Sequence, residues 1–206
     1  MSKKVIIISV ASVILIAGAV FGALYFIKKS STPSEQAPVA EAKTTPDLSV
    51  NFGACDLLNK ETIKTALGAV AKDLQGPGDM GRAFLKGGDQ SQVCVYSFVG
   101  DANFDNNFNQ TNSFNVEVFV HASQSSIDTL KTAVSDGKTV VTGIGDGAVY
   151  YSRADQAVTY QSFTLIVYSG LKHYTYNISI PKSDTRLNAD SARTALESIA
   201  KSVTYK

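Results

Sequence analysis

The run Val5–Ile27, VIIISVASVILIAGAVFGALYFI, constrains this chain more than any other stretch. Its only side-chain polar groups are Ser9, Ser12 and the Tyr25 hydroxyl. As a helix it would extend about 34 Å, enough for a ~30 Å hydrocarbon layer with some tilt. Lys3 and Lys4 flank one end, Lys28 and Lys29 the other, and Tyr25 and Phe26 fall where an interfacial aromatic belt would lie. Ala17-Gly18-Ala19 has the small-x-small form of a signal-peptide cleavage site, but apolar and small residues continue past it with no polar region. The reading is therefore an uncleaved signal-anchor, a single-pass transmembrane helix at residues 5–27 behind a short cytoplasmic tail at residues 1–4. No cysteine follows a small-residue site near this run, which excludes lipoprotein processing. Gly18 and Gly22 form a GxxxG that offers a close helix–helix dimerisation face, although Gly and Ala are ordinary in membrane helices.

Residues 28–50 are rich in Pro, Ser, Thr and Ala, the composition of a flexible stalk. The flanking lysines are balanced, so they do not set the orientation. The exposed stalk and a pair of cysteines in the remainder place residues 51–206 outside the cytoplasm, at the plasma membrane. That remainder is long enough for one domain with a real core. It carries 14 Lys and Arg against 15 Asp and Glu, a net charge of −1, and lacks the basic surplus that nucleic-acid binding requires.

Within the domain, Asn59–Gly68 reads as a capped helix: Asn59 at the N-cap, Glu61 in the first turn and Gly68 at the stop. The Gly-rich stretch 76–88 reads as a mobile loop. Val93–Val99 and Phe114–His121 read as strands, the latter with Phe114, Val116, Val118 and Val120 inward and Asn115, Glu117 and His121 outward. Ile127, Leu130 and Val134 mark a helix stopped by Gly137. Strands follow at Ala148–Tyr151, Val158–Tyr168 and Tyr174–Ile180. A last helix from Asn188 carries Ala192, Leu196, Ile199 and Val203 on one face, with Glu197 and Lys201 paired along it. The order α-β-β-α-β-β-β-α predicts an α+β fold, an antiparallel sheet with helices packed on it, preceded by the transmembrane helix.

Ala54-Cys55-Asp56-Leu57-Leu58, a helix ending in Leu67-Gly68, and Cys94-Val95-Tyr96 resemble the CDLL-type actinobacterial envelope lipoproteins of unknown function. The Gly143-Ile144-Gly145-Asp146-Gly147-Ala148 turn before Tyr150-Tyr151 is similar to a turn of the same family, whose general plan the extracellular sensor domains of mycobacterial receptor kinases share. This chain departs from the pattern in lacking the lipidated cysteine and any Trp. The resemblance implies an extracytoplasmic domain with a ligand cleft and carries over no catalytic residue.

Several constellations bear on chemistry. Cys55 and Cys94 have no C-x-x-C form and no histidine close in sequence, so a disulfide is favoured over a metal or redox site. Asp101, Asn103, Asp105 and Asn107, with Asn109, resemble the first half of a calcium loop and form the candidate binding loop; position 12 is Asn112 where a bidentate Glu belongs, so a polar hairpin is the simpler reading and no metal is assigned. Gly76–Gly81 spells GxGxxG but follows a helix tail, not a strand, and is rejected as a dinucleotide fingerprint. His121 and His173 read as solvated residues on polar strand faces, with no activated nucleophile beside them. The tyrosines of the second half pack a sheet or offer a stacking surface.

The expectation is a non-catalytic, membrane-tethered domain without a cofactor that binds a ligand or envelope partner. It would do so through the 76–88 loop, the 101–112 loop and the tyrosine-bearing sheet. The alternatives are a cell-envelope hydrolase, which would need His121 or His173 close to a Ser and a carboxylate in a cleft, and a structural subunit of a membrane complex.

Overall fold

A computed structural model describes residues 50–85, 87–98, 112–135, 138–154 and 159–205. The expected anchor, stalk and GxxxG, and the candidate loop residues Asp101, Asn103, Asp105 and Asn107, lie outside these residues. No helix among the described residues is long and apolar enough to cross a membrane.

The domain is α+β, with one antiparallel seven-stranded sheet in the order β1-β2-β3-β7-β6-β5-β4. Helix α1 (Lys60–Leu67) leads through a 3-10 turn at Gly68–Ala71 into the meander β1 (Gln75–Phe84), β2 (Gln90–Ser97) and β3 (Ser113–Val120). Helix α2 (Gln124–Ser135) then crosses to the far side of the sheet, where β4 (Thr139–Val141), β5 (Gly147–Arg153), β6 (Tyr160–Ser169) and β7 (Lys172–Pro181) meander back. Helix α3 (Ala189–Lys201) closes the domain. Each half is thus a meander ending in a helix, and the halves meet where β3 pairs with β7, in unbroken register from Ser113↔Ser179 to Val120↔Lys172.

The main core lies between α1, α3 and one sheet face. Period-two alternation sends Phe114, Val116 and Val118 of β3 and Tyr174, Tyr176, Ile178 and Ile180 of β7 to this face, where all are buried. Ile63 and Leu67 of α1 and Leu196 and Ile199 of α3 pack against them. Asn59 accepts the Thr62 N–H and caps α1 as its sequence predicts. Asn188 and Ser191 form a capping box at α3. On the opposite face, Ile127 and Leu130 of α2 cover Val149, Tyr151, Ile166 and Tyr168 of β5 and β6.

Cys55 and Cys94 form the disulfide expected of them, with Cα atoms 5.1 Å apart. It fastens the segment before α1 to β2, and the buried Tyr96 hydroxyl donates to the Leu58 carbonyl at 3.0 Å in the same corner.

Two features differ from the sequence reading. The stretch read as a mobile loop is largely strand β1, which pairs with β2 through two register shifts. Its residues alternate between exposed and half-buried and none is buried, so it carries no apolar periodicity to reveal a strand. Strand β4, three residues long, was not expected at all.

Candidate functional site

Two places combine polar chemistry with the frame of the sheet. The first is an open cavity of about 390 Å3 at the start of α3. The end of β5 supplies Ser152 and Arg153, the start of β6 supplies Gln161 and Phe163, and the segment leading into α3 supplies Lys182, Asp184, Thr185, Leu187 and Asn188. Phe163 and Leu187 are buried and apolar and belong to the main core. The wall beside them is ordered by side-chain bonds: Arg186 grips the Asp184 carboxylate at 2.7 and 2.9 Å and reaches the Ala69 carbonyl at 2.9 Å. The Arg186 guanidinium holds the Asp184 carboxyl below the usual carboxylate range. The Gln161 amide donates to the Asp184 carbonyl at 3.3 Å, and the Tyr150 hydroxyl holds the first residue of α3 through the Ala189 carbonyl at 2.7 Å. Arg153 and Lys182 bring positive charge to the cavity.

The second place is a buried polar cluster at the far end of β3 and β7. His121 follows β3, and its backbone N–H donates to the Leu171 carbonyl at 2.8 Å. Its Nε2 lies 2.8 Å from Nδ1 of His173, while its Nδ1 lies 3.0 Å from Ser126 Oγ and 3.2 Å from Asp89 Oδ2. The Ser126 hydroxyl donates to Asp89 Oδ2 at 2.6 Å, and Asp89 Oδ1 accepts the Ala122 N–H at 2.8 Å. Phe119, the cross-strand partner of His173, stacks on the His173 ring with centroids 4.7 Å apart and tilts against His121 at 4.8 Å.

Both histidines are buried, 5% and 6% exposed, which corrects the reading of solvated side chains. They do share the outward sheet face with Glu117, but that face is not left to water here. The helix that follows His121 turns back over the sheet, and the β1–β2 turn brings in Asp89. Burial, followed by the neighbouring His121, pulls His173 down to about 4, against a weaker opposing pull from Asp89. Burial alone would push Asp89 up, but the Ala122 N–H, the Ser126 hydroxyl and His121 outweigh it and hold the carboxyl below its ordinary value. Glu117 is pushed up by burial, opposed by a hydrogen bond from Ser91.

Distances alone would suggest a Ser–His–Asp hydrolytic set, but the connections do not form one. The Ser126 hydroxyl and Asp89 meet the same nitrogen of His121, the hydroxyl is donated to the carboxylate, and the remaining nitrogen is taken by His173. A triad needs the serine on one imidazole nitrogen and the orienting carboxylate on the other. Nor do these residues line the cavity at α3.

Among the described residues, no group of three or more His, Cys, Asp or Glu side chains is placed to hold a metal ion. Tyr150, Tyr168, Tyr174 and Tyr176 are buried, so they pack the sheet and do not provide a stacking platform. Sequence reasoning missed the cavity because its residues come from three separated segments, none with a motif. It missed the polar cluster because Asp89 and Ser126, 37 positions apart, meet only through the fold. Compared with protein-family models, curated proteins and solved structures, the chain matches none.

Proposed function

We propose that this chain is a membrane-tethered, extracytoplasmic binding domain, and that the cavity at the start of α3 receives its ligand. The cavity carries the proposal. Its volume of about 390 Å3 falls in the range of small-molecule sites, and an apolar floor with a few fixed polar groups is the usual composition of such sites. Phe163 and Leu187 favour a ligand with an apolar body, and Arg153 and Lys182 favour an anionic end such as a carboxylate. The Val5–Ile27 run supplies the tether by its length and flanks, and the disulfide suits an oxidising compartment.

The test uses the full chain in detergent micelles and a panel of small aliphatic and aromatic carboxylates, read by saturation-transfer NMR. Binding that is lost in Ser152→Trp, which fills the cavity mouth, supports the proposal. Binding that Ser152→Trp leaves unchanged, or no binding by any member, defeats it. Protease added to intact cells should release a fragment from about residue 50 onward if the stalk is exposed.

A cell-envelope hydrolase is the second reading, favoured by the 3.0 Å approach of Ser126 Oγ to His121 beside Asp89. It requires the cluster to rearrange before Ser126 can attack. Ester turnover abolished by Ser126→Ala would establish it.

A further inference from the structure

The Asp89–Ser126–His121–His173 cluster joins segments that are otherwise held apart. Asp89 belongs to the turn between β1 and β2, where its carbonyl accepts the Leu85 N–H at 2.9 Å. Its carboxylate makes the links from this turn to the start of α2 described above: the Ala122 N–H, the Ser126 hydroxyl and His121. Ser123 Oγ accepts the Ser126 N–H at 3.2 Å, which completes the first turn of α2. On the other side, His173, the second residue of β7, is hydrogen-bonded to His121. Within the hairpin, Asp79 of β1 accepts from Gln92 of β2 at 2.9 Å.

Proton counting decides how this junction responds to acid. In the neutral pair one imidazole donates and the other accepts, so a single proton lies between His121 Nε2 and His173 Nδ1. One added proton is tolerated, since an imidazolium still donates to a neutral ring, and Asp89 faces it. A second added proton turns both facing nitrogens into donors 2.8 Å apart and sets two positive rings together under Phe119. That state cannot keep the bond. The ionisable groups around the pair come from each element packed on it. They are Asp89 from the β1–β2 turn, Glu117 from β3 on the same sheet face, and Tyr168 of β6, the other cross-strand neighbour of His173. Lys131 of α2 lies 5.4 Å from the centre of the Tyr168 ring. Asp89 and Glu117 are the only acidic groups of this set, and Glu117 is turned to Ser91. Asp89 therefore must offset the charge, and its own protonation on further acidification removes that support.

We propose that this cluster is an acid-released latch: at neutral pH it pins the β1–β2 turn to the start of α2, and acidification frees this turn and strand β1 while β2 and the rest of the sheet stay folded. Strand β1 suits such release, because none of its residues is buried in the core, whereas β2 is held by its pairing with β3 and by the Cys55–Cys94 disulfide. The device is independent of the cavity at α3, so it stands or falls separately from the ligand proposal.

Hydrogen exchange of the full chain in micelles, read by mass spectrometry and corrected for intrinsic pH effects, tests the latch. Peptides covering residues 80–90 and 120–127 should lose protection by about tenfold or more between about pH 7.5 and about pH 4.5, while peptides from β6 and β7 hold theirs. In His173→Gln, which cannot gain charge, the loss should disappear. In Ser126→Ala, which removes one of the three donors to Asp89, release should begin at higher pH. Wild-type protection that does not change with pH overturns the latch, as does an unchanged acid response in His173→Gln. Simultaneous opening of β6 and β7 overturns it too, since acid would then be unfolding the domain and not releasing the turn and β1. If His173→Gln is poorly folded, the Ser126→Ala midpoint decides: no shift from wild type defeats the proposal.

Discussion

Asp146 accepts the Gly170 N–H on its Oδ2 at 2.7 Å and donates its own N–H to the Tyr168 carbonyl at 2.8 Å, so that the turn before β5 is fastened to the turn between β6 and β7. This double link brings the backbone at Gly145 against the carbonyl of Tyr168, leaving no space for a side chain.

Gly145→Ala should therefore be among the most damaging small substitutions in the domain. Gly145 has φ +56°, and an added Cβ would collide with the Tyr168 carbonyl oxygen and the Val167 side chain. A loss of about 2–4 kcal/mol is expected from strain and backbone displacement together. Gly143→Ala, with φ +78° but nothing near its Cβ, should cost less. Urea unfolding of the two variants side by side checks the difference.

Reduction of the Cys55–Cys94 disulfide, or its replacement by Ser at both positions, should destabilise the domain by about 4 kcal/mol in the chain-entropy picture, given a separation of 39 residues. The midpoint of urea unfolding with and without reductant measures this. Thiol titration of denatured, unreduced protein should find no free cysteine.

Asn188→Ala should cost about 1 kcal/mol, because Asn188 accepts the N–H groups of Asp190 and Ser191 and its own N–H is held by the Ser191 hydroxyl. As Asn188 also lines the cavity, the variant should weaken carboxylate binding alongside the fall in melting temperature.

Stability should rise with pH between about 4 and 6.5. His173 holds its proton less tightly when folded, at about 4 against an ordinary 6.5, so the unfolded chain takes up the proton first as pH falls. The contribution is complete above 6.5, declines through that window and is gone below about 4; it amounts to at most about 3 kcal/mol. Asp89, lowered from its ordinary 3.8, adds a further loss in the same direction at more acidic pH. Urea midpoints across this range should trace the slope in wild type, and His173→Gln should flatten it.

The parts of the fold that could be read beforehand are those in which local periodicity and burial agree. Strands β3 and β7 place apolar side chains at every second position, Phe114, Val116 and Val118 on one and Tyr174, Tyr176, Ile178 and Ile180 on the other, because one of their faces is the main core, and α1 and α3 carry their caps in the sequence as Asn59 and Asn188. Strand β1 gave no such signal, because a half-exposed strand held by backbone pairing needs no alternation of apolar side chains. The histidines were placed on the right face and in the wrong medium. Alternation says which side of the sheet His121 occupies, whereas its burial depends on α2 turning back and on the pairing of Phe119 with His173, a contact between distant segments. The Cys55–Cys94 pair was legible because two cysteines admit a single internal partner.

The makeup of β1 has a further consequence for a protein present in many copies. An outermost strand offers unpaired N–H and C=O groups to any neighbour, and a flat, regular one invites sheet-to-sheet polymerisation. Here Pro77 lacks an N–H, and two register shifts interrupt the ladder between Gln75 and Arg82. At the opposite margin β4 is three residues long, too short to template another chain. Both margins of the sheet are thus poor starting points for fibrous assembly, and the irregular strand that escaped notice as a strand is the better guarded for its irregularity.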